Sequence, residues 1–206
     1  MSRYGRLLSD LAANYKQHEQ PIKLNEYLNE AIWSSDLVKK GQILARMLSA
    51  VDTLKSLDSL IVYEKEMTAF YKSINLQTDY KITKRLYEMY GQHISQDEFL
   101  SPESVDAIYK ESFISSPERF SKLIQVDNKD DIKILIQRDP VYNTFHYYDS
   151  VQKANLIILR QSLLQLNELY GQYMLALRQY NTTKQFYPDA NSTLRLTYGK
   201  IEGVKP

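Results

Sequence analysis

A chain of 206 residues with 43% apolar side chains can bury one core of domain size, but not two. Its 26 basic residues are offset by 25 acidic ones, so no excess positive field draws nucleic acid or an anionic lipid surface to it. Cysteine is absent, which excludes disulfides, a thiolate nucleophile and cysteine-ligated zinc. No apolar run approaches the roughly 20 residues that cross a bilayer.

In chain order, Tyr4, Leu7, Leu11 and Tyr15 recur at three- and four-residue spacing and predict a first helix that ends near Gln20 and Pro21. A second apolar pattern runs through Leu24, Tyr27, Leu28, Ala31 and Ile32. It resumes as Leu44, Met47 and Val51 and continues to Leu60, Met67 and Ile74, with Gly41 and Asp52 as natural breaks. Ile82, Leu86, Met89, Tyr90 and His93 form the next helical face. Ser101 before Pro102, and Ser116 before Pro117, each combine a capping hydroxyl with a proline suited to the first helical position. The acidic run Asp127 to Asp131 starts like a calcium loop but has Ile132 where that loop requires glycine. It reads better as a helix N-terminus, where acids meet the positive end of the dipole.

The last helix carries Leu156, Leu159, Leu163, Leu166, Tyr170, Tyr173 and Leu177, widened by Ile157 and Leu164. Such a broad face predicts burial among several helices of a bundle. From Ser192 to Ile201 the period changes to the alternation of a strand, with Leu194, Leu196 and Tyr198 set against Thr193, Arg195 and Thr197. The fold class expected is all-α, a multi-helix bundle over residues 1–185, followed by one C-terminal β-strand segment over 186–206. A lone strand needs a partner to pair its backbone groups, so the chain reads as entering another domain.

Three histidines, His18, His93 and His146, are too far apart for a helical zinc pair, and no metal or cofactor is called for. The nucleophile elbow Gly-x-Ser-x-Gly is missing, and the six glycines are too scattered to cradle a phosphate. Most of the 17 tyrosines fall on the core stripes. Tyr147 and Tyr148 beside His146, and Tyr187 beside Pro188, fall off the cleanest stripes and are the candidates for the wall of a substrate cleft.

The run Phe186-Tyr187-Pro188-Asp189-Ala190-Asn191-Ser192-Thr193-Leu194-Arg195-Leu196-Thr197-Tyr198-Gly199-Lys200 resembles a signature of the bacterial serine dipeptidyl-peptidases of the dipeptidyl-peptidase seven and eleven family. Shorter matches occur in the family's order: Lys84-Arg85-Leu86-Tyr87-Glu88-Met89-Tyr90, then Ser116-Pro117-Glu118-Arg119-Phe120, then Asp139-Pro140. The resemblance implies the helical domain inserted between the catalytic Asp and Ser of a chymotrypsin-like double β-barrel. It also implies that the triad lies outside this segment, so no catalytic residue is carried over. Peptides would be the substrates, through the parent enzyme, and the catalytic barrel of the same polypeptide would be the partner. The parent would be periplasmic or extracellular, with its signal peptide outside this segment. Asp189, Asn191 and Arg195 would organise the return into the barrel. The alternative from another class is a free-standing helical interaction module with a tyrosine-lined groove.

Overall fold

The computed structural model describes residues 4–53, 60–184, 186 and 199. Those residues are helical almost throughout, and no strand occurs among them. The strand expected over Ser192 to Ile201, and the boundary at 185/186, lie outside the described residues apart from Phe186 and Gly199.

The helices are α1 (Leu7–Tyr27), α2 (Asp36–Lys39), α3 (Gly41–Val51), α4 (Ile61–Ser73), α5 (Leu76–His93), α6 (Pro102–Lys110), α7 (Pro117–Ile124), α8 (Lys129–Gln137) and α9 (Pro140–Tyr180). Side chains set most of their starts. Ser35, Asn75, Ser101, Ser116, Asn128 and Asp139 each accept a backbone N–H of the first turn, and Pro102, Pro117 and Pro140 occupy first positions where no N–H is needed. Each such cap contributes about 1 kcal/mol. The Ser-Pro starts and the acidic N-terminus of α8 are therefore where the sequence places them.

Two expectations need correction. Pro21 does not end the first helix, which continues to Tyr27 and passes into a π turn over Leu28–Ile32. An internal proline loses one helical hydrogen bond and costs about 3 kcal/mol. Burial on both sides of Pro21 outweighs it, since Leu11, Asn14 and His18 before it and Leu28, Ala31 and Ile32 after it are all buried. The wider turn also rotates Leu28, Ala31 and Ile32 together into the main core.

The second correction concerns α9, which is 41 residues long. Only its first third lies in the bundle, where Val141, Thr144 and Tyr148 are buried. Beyond that, Asn155, Ser162 and Leu169 are the buried positions, one residue out of step with the expected Leu156, Leu163 and Tyr170, which are 47, 58 and 42% exposed. Periodicity locates apolar stripes but does not say which of two adjacent stripes a neighbour covers.

The molecule thus has a globular core and a projecting hairpin. The core joins Leu37, Leu44, Met47, Met67, Tyr87, Ile108, Phe120, Ile132, Ile136 and Tyr148 from eight of the helices. In the hairpin, α1 and the rest of α9 run antiparallel, with the Tyr4 hydroxyl on Gln179 at one end and the Asn155 side chain on the Pro21 carbonyl, 2.8 Å away, at the other. A smaller apolar cluster of Leu7, Leu11, Leu166, Leu169 and Tyr173 lies between them. Asn14 donates to Gln165 at 3.2 Å, which with the Asn155 bond fixes the hairpin's register, while His18 Nδ1 sits 2.5 Å from the Asn14 carbonyl within α1.

Gly41 opens α3 where it crosses α9, and a Cβ there would lie 2.6 Å from Cβ of Phe145. Gly41→Ala is expected to destabilise the core by about 1–3 kcal/mol, read as a lower urea midpoint, because neither backbone can retreat from a packed crossing.

Candidate functional site

A cleft of about 630 Å³ opens between α6, the start of α9 and the short 3₁₀ turn Glu98–Leu100. Its aromatic wall is Phe99 against Tyr147, with ring centres 4.7 Å apart. His146 lines it as well and stacks on Tyr142 at 5.6 Å. Arg138 brings a positive charge to the rim, and Glu98 and Glu111 bring negative ones. Aromatic faces with charges of both signs can hold a ligand that has both apolar and charged parts.

The wall is held from behind by a buried acid. Asp97 caps the 3₁₀ turn through the N–H of Phe99 at 3.0 Å, and its two carboxylate oxygens accept the Tyr148 hydroxyl at 3.0 and 2.9 Å. Tyr148 is fully buried and meets Tyr87, Tyr90 and Phe99 edge to face. Burial raises the Asp97 carboxyl above its ordinary value, against the pull of these donors. Burial and the neighbouring Asp97 raise the Tyr148 phenol too, which keeps it a neutral donor.

The two adjacent tyrosines therefore part company. Tyr147 is 37% exposed and lines the cleft, whereas Tyr148 is a core residue and not a cleft wall. Consecutive residues of a helix point about 100° apart, so one of a pair can face the core while the other faces solvent. Tyr187, Asp189, Asn191 and Arg195 lie outside the described residues. Phe99, Arg138 and Asp97 were missed from sequence, where Asp97 before Glu98 carried only the weak signal of a cap.

The histidines are dispersed. His18 sits inside the hairpin on a backbone carbonyl, His93 packs against the Tyr27 ring and His146 stacks on Tyr142. Among the described residues no histidine ring is hydrogen-bonded to a serine hydroxyl or a carboxylate, and no group of three or more His, Asp or Glu converges as a metal site. No helix among them is long and apolar enough to cross a membrane.

The profile of the Peptidase S46 family matches residues 1–206. The chain belongs to that family. It is similar to an Asp/Glu-specific dipeptidyl-peptidase of Flavobacterium psychrophilum, 26% identical over 221 residues that cover all of this chain and 30% of that protein. It is also similar to dipeptidyl-peptidase 7 of Porphyromonas endodontalis, 25% identical over 223 residues covering all of this chain and 26% of that protein. Dipeptidyl-peptidase 7 of Porphyromonas gingivalis is 20% identical over 231 residues, 98% of this chain and 30% of its own length. The S46 chain thus spans under a third of the length of these curated relatives. No solved structure matches it.

Two outcomes follow from the buried aromatic cluster. Because the folded-state pKa of Asp97 is raised, its contribution is fully present below the ordinary carboxylate pKa and is lost as pH rises through the raised value. Urea titrations across the acid range should show that fall in wild type and a flatter profile in Asp97→Asn. The Tyr87 hydroxyl is buried with no partner among the described residues, so Tyr87→Phe should be neutral or stabilise by about 1 kcal/mol in the same assay.

Proposed function

We propose that this chain is the helical segment of a longer serine-type dipeptidyl-peptidase, acting as a lid over an active-site cleft built by another part of the polypeptide. The observation that carries the reading is the family match along the whole chain, combined with a length under a third of relatives named as dipeptidyl-peptidases. The all-helical body supports it, being a rigid block that a catalytic barrel could carry over its cleft. In this reading the serine nucleophile, its histidine and its aspartate belong to the barrel, and peptides are the substrates. The enzyme works in the periplasm or outside the cell.

A helical block over one end of a protease cleft stops a long chain from running through, so only a free N-terminus can enter. The distance from block to nucleophile then sets the length of the product. Closure also excludes water and orients the peptide amine, both of which favour the acyl-transfer transition state. The Phe99 and Tyr147 cleft, with Arg138, Glu98 and Glu111 around it, is the surface of this block suited to peptide contact.

The longer protein should release dipeptides from peptides with a free N-terminus and leave N-acetylated ones intact, while the 206-residue chain alone should release none. Dipeptide release by the chain alone, or internal cleavage by the longer protein, would overturn the assignment. Since the chain has no cysteine, a single engineered Ser150→Cys at the cleft edge can be cross-linked to a cysteine in the barrel. Turnover unchanged by that tether would sink the lid.

A further inference from the structure

The cleft between α6 and the start of α9 has two unlike ends and a polar middle. One end is walled by Phe99 and Tyr147, with Glu98 beside them. Burial raises the Tyr147 phenol, and the negative charges of Asp97 and Glu98 add to the rise, so this end carries a negative potential. Among the described residues no cation forms an ion pair with Glu98. An ammonium group placed there would gain from the ring faces and from the carboxylate together.

The opposite end lies where the Ser112 hydroxyl meets Asp139, which brings the end of α6 beside Arg138 and Pro140. The Asp139 carboxylate is already filled by Ser112, Phe113, Val141 and Tyr142. Arg119 lies on the Glu111 carbonyl at 3.1 Å. The Arg138 guanidinium forms no ion pair with an acid of the described residues, and is the group of this end left to meet an anion.

Between the two ends Asn143 lines the cleft half-buried, and its side-chain amide has no hydrogen-bond partner among the described residues. That amide offers both donor and acceptor, the complement of a peptide group. Asn143 and Tyr147 are one helical turn apart and share a face of α9. From Pro140 to Tyr147 the helix rises about 10 Å at 1.5 Å per residue. An extended chain advances about 3.4 Å per residue, so about three residues span that distance.

We propose that this cleft binds a short free peptide of about three residues as a zwitterion, its α-ammonium at Glu98 over the Phe99 and Tyr147 rings and its terminal carboxylate on Arg138. Asn143 then takes the central peptide group. A capped peptide presents only one of the two charges, and a much longer one carries its carboxylate past Arg138. The inference rests on the reading of this cleft as a peptide-contact surface and names the peptide; it does not need the lid.

Calorimetric titration of the 206-residue chain with Leu-Ala-Ala tests it, at peptide concentrations up to about 10 mM, where millimolar affinity is visible. Saturable one-to-one binding is expected, weakened about threefold or more by N-acetylation and by C-amidation alike. Arg138→Gln should weaken binding of the free peptide by a similar factor and leave the amidated one unchanged. Glu98→Gln should weaken the free peptide and leave the N-acetylated one unchanged. Both side chains are exposed, so the helical circular dichroism should persist in each variant. Absence of saturable binding, or equal binding of the free and doubly capped peptides, would overturn the proposal. So would a loss in either variant that is the same for free and capped peptides, since that marks a structural effect. Turnover of the longer protein tethered through Ser150→Cys reports on the lid alone, so the two readings fail separately.

Discussion

The carboxylate of Asp139 ties the architecture together. It is 2% exposed and accepts the N–H groups of Val141 and Tyr142 at 2.8 and 3.1 Å, which starts α9. The same carboxylate accepts the Ser112 hydroxyl and the Phe113 N–H at 2.9 and 2.7 Å, which anchors the chain between α6 and α7. Burial raises its pKa while these donors pull it down. A buried carboxylate is tolerable only when its oxygens are filled, and here filling them sets where and in what direction the longest helix begins.

Asp79 and Asp97 repeat that solution elsewhere. Asp79 accepts the N–H groups of Asp36 and Leu37 and the Tyr109 hydroxyl, and so holds the start of α2 against α5 and α6. Asp97 holds the 3₁₀ turn and Tyr148, and through them the Phe99 and Tyr147 wall of the cleft. Short helices that could not persist alone are thus pinned from the side by acids in other segments. The carboxylates of Asp79, Asp97 and Asp139 are each occupied by backbone N–H and hydroxyl donors.

From Asp139 outward, α9 passes from the globular core, which buries Val141, Thr144 and Tyr148, into the hairpin, which covers it on a single face. The same unbroken 41-residue helix therefore carries both the cleft and the projecting hairpin. The cleft opens beside the start of α9, and the hairpin leaves two heptad stripes exposed. Both surfaces are apolar in part and neither is explained by the fold of the chain on itself.

What the sequence by itself determined was local. The Ser-Pro starts of α6 and α7, the acidic start of α8, the helical class and the family resemblance all depend on residues close together in the chain, where propensity and spacing act directly. Tertiary structure decided the rest. It kept α1 helical through Pro21, because packing on both sides exceeds the cost of one lost hydrogen bond. It buried Tyr148 and exposed Tyr147, and it covered Asn155, Ser162 and Leu169 while leaving the neighbouring leucines bare. A period of three to four residues says that a helix has apolar stripes. Which stripe is covered depends on a partner far away in the chain, and no local pattern encodes that.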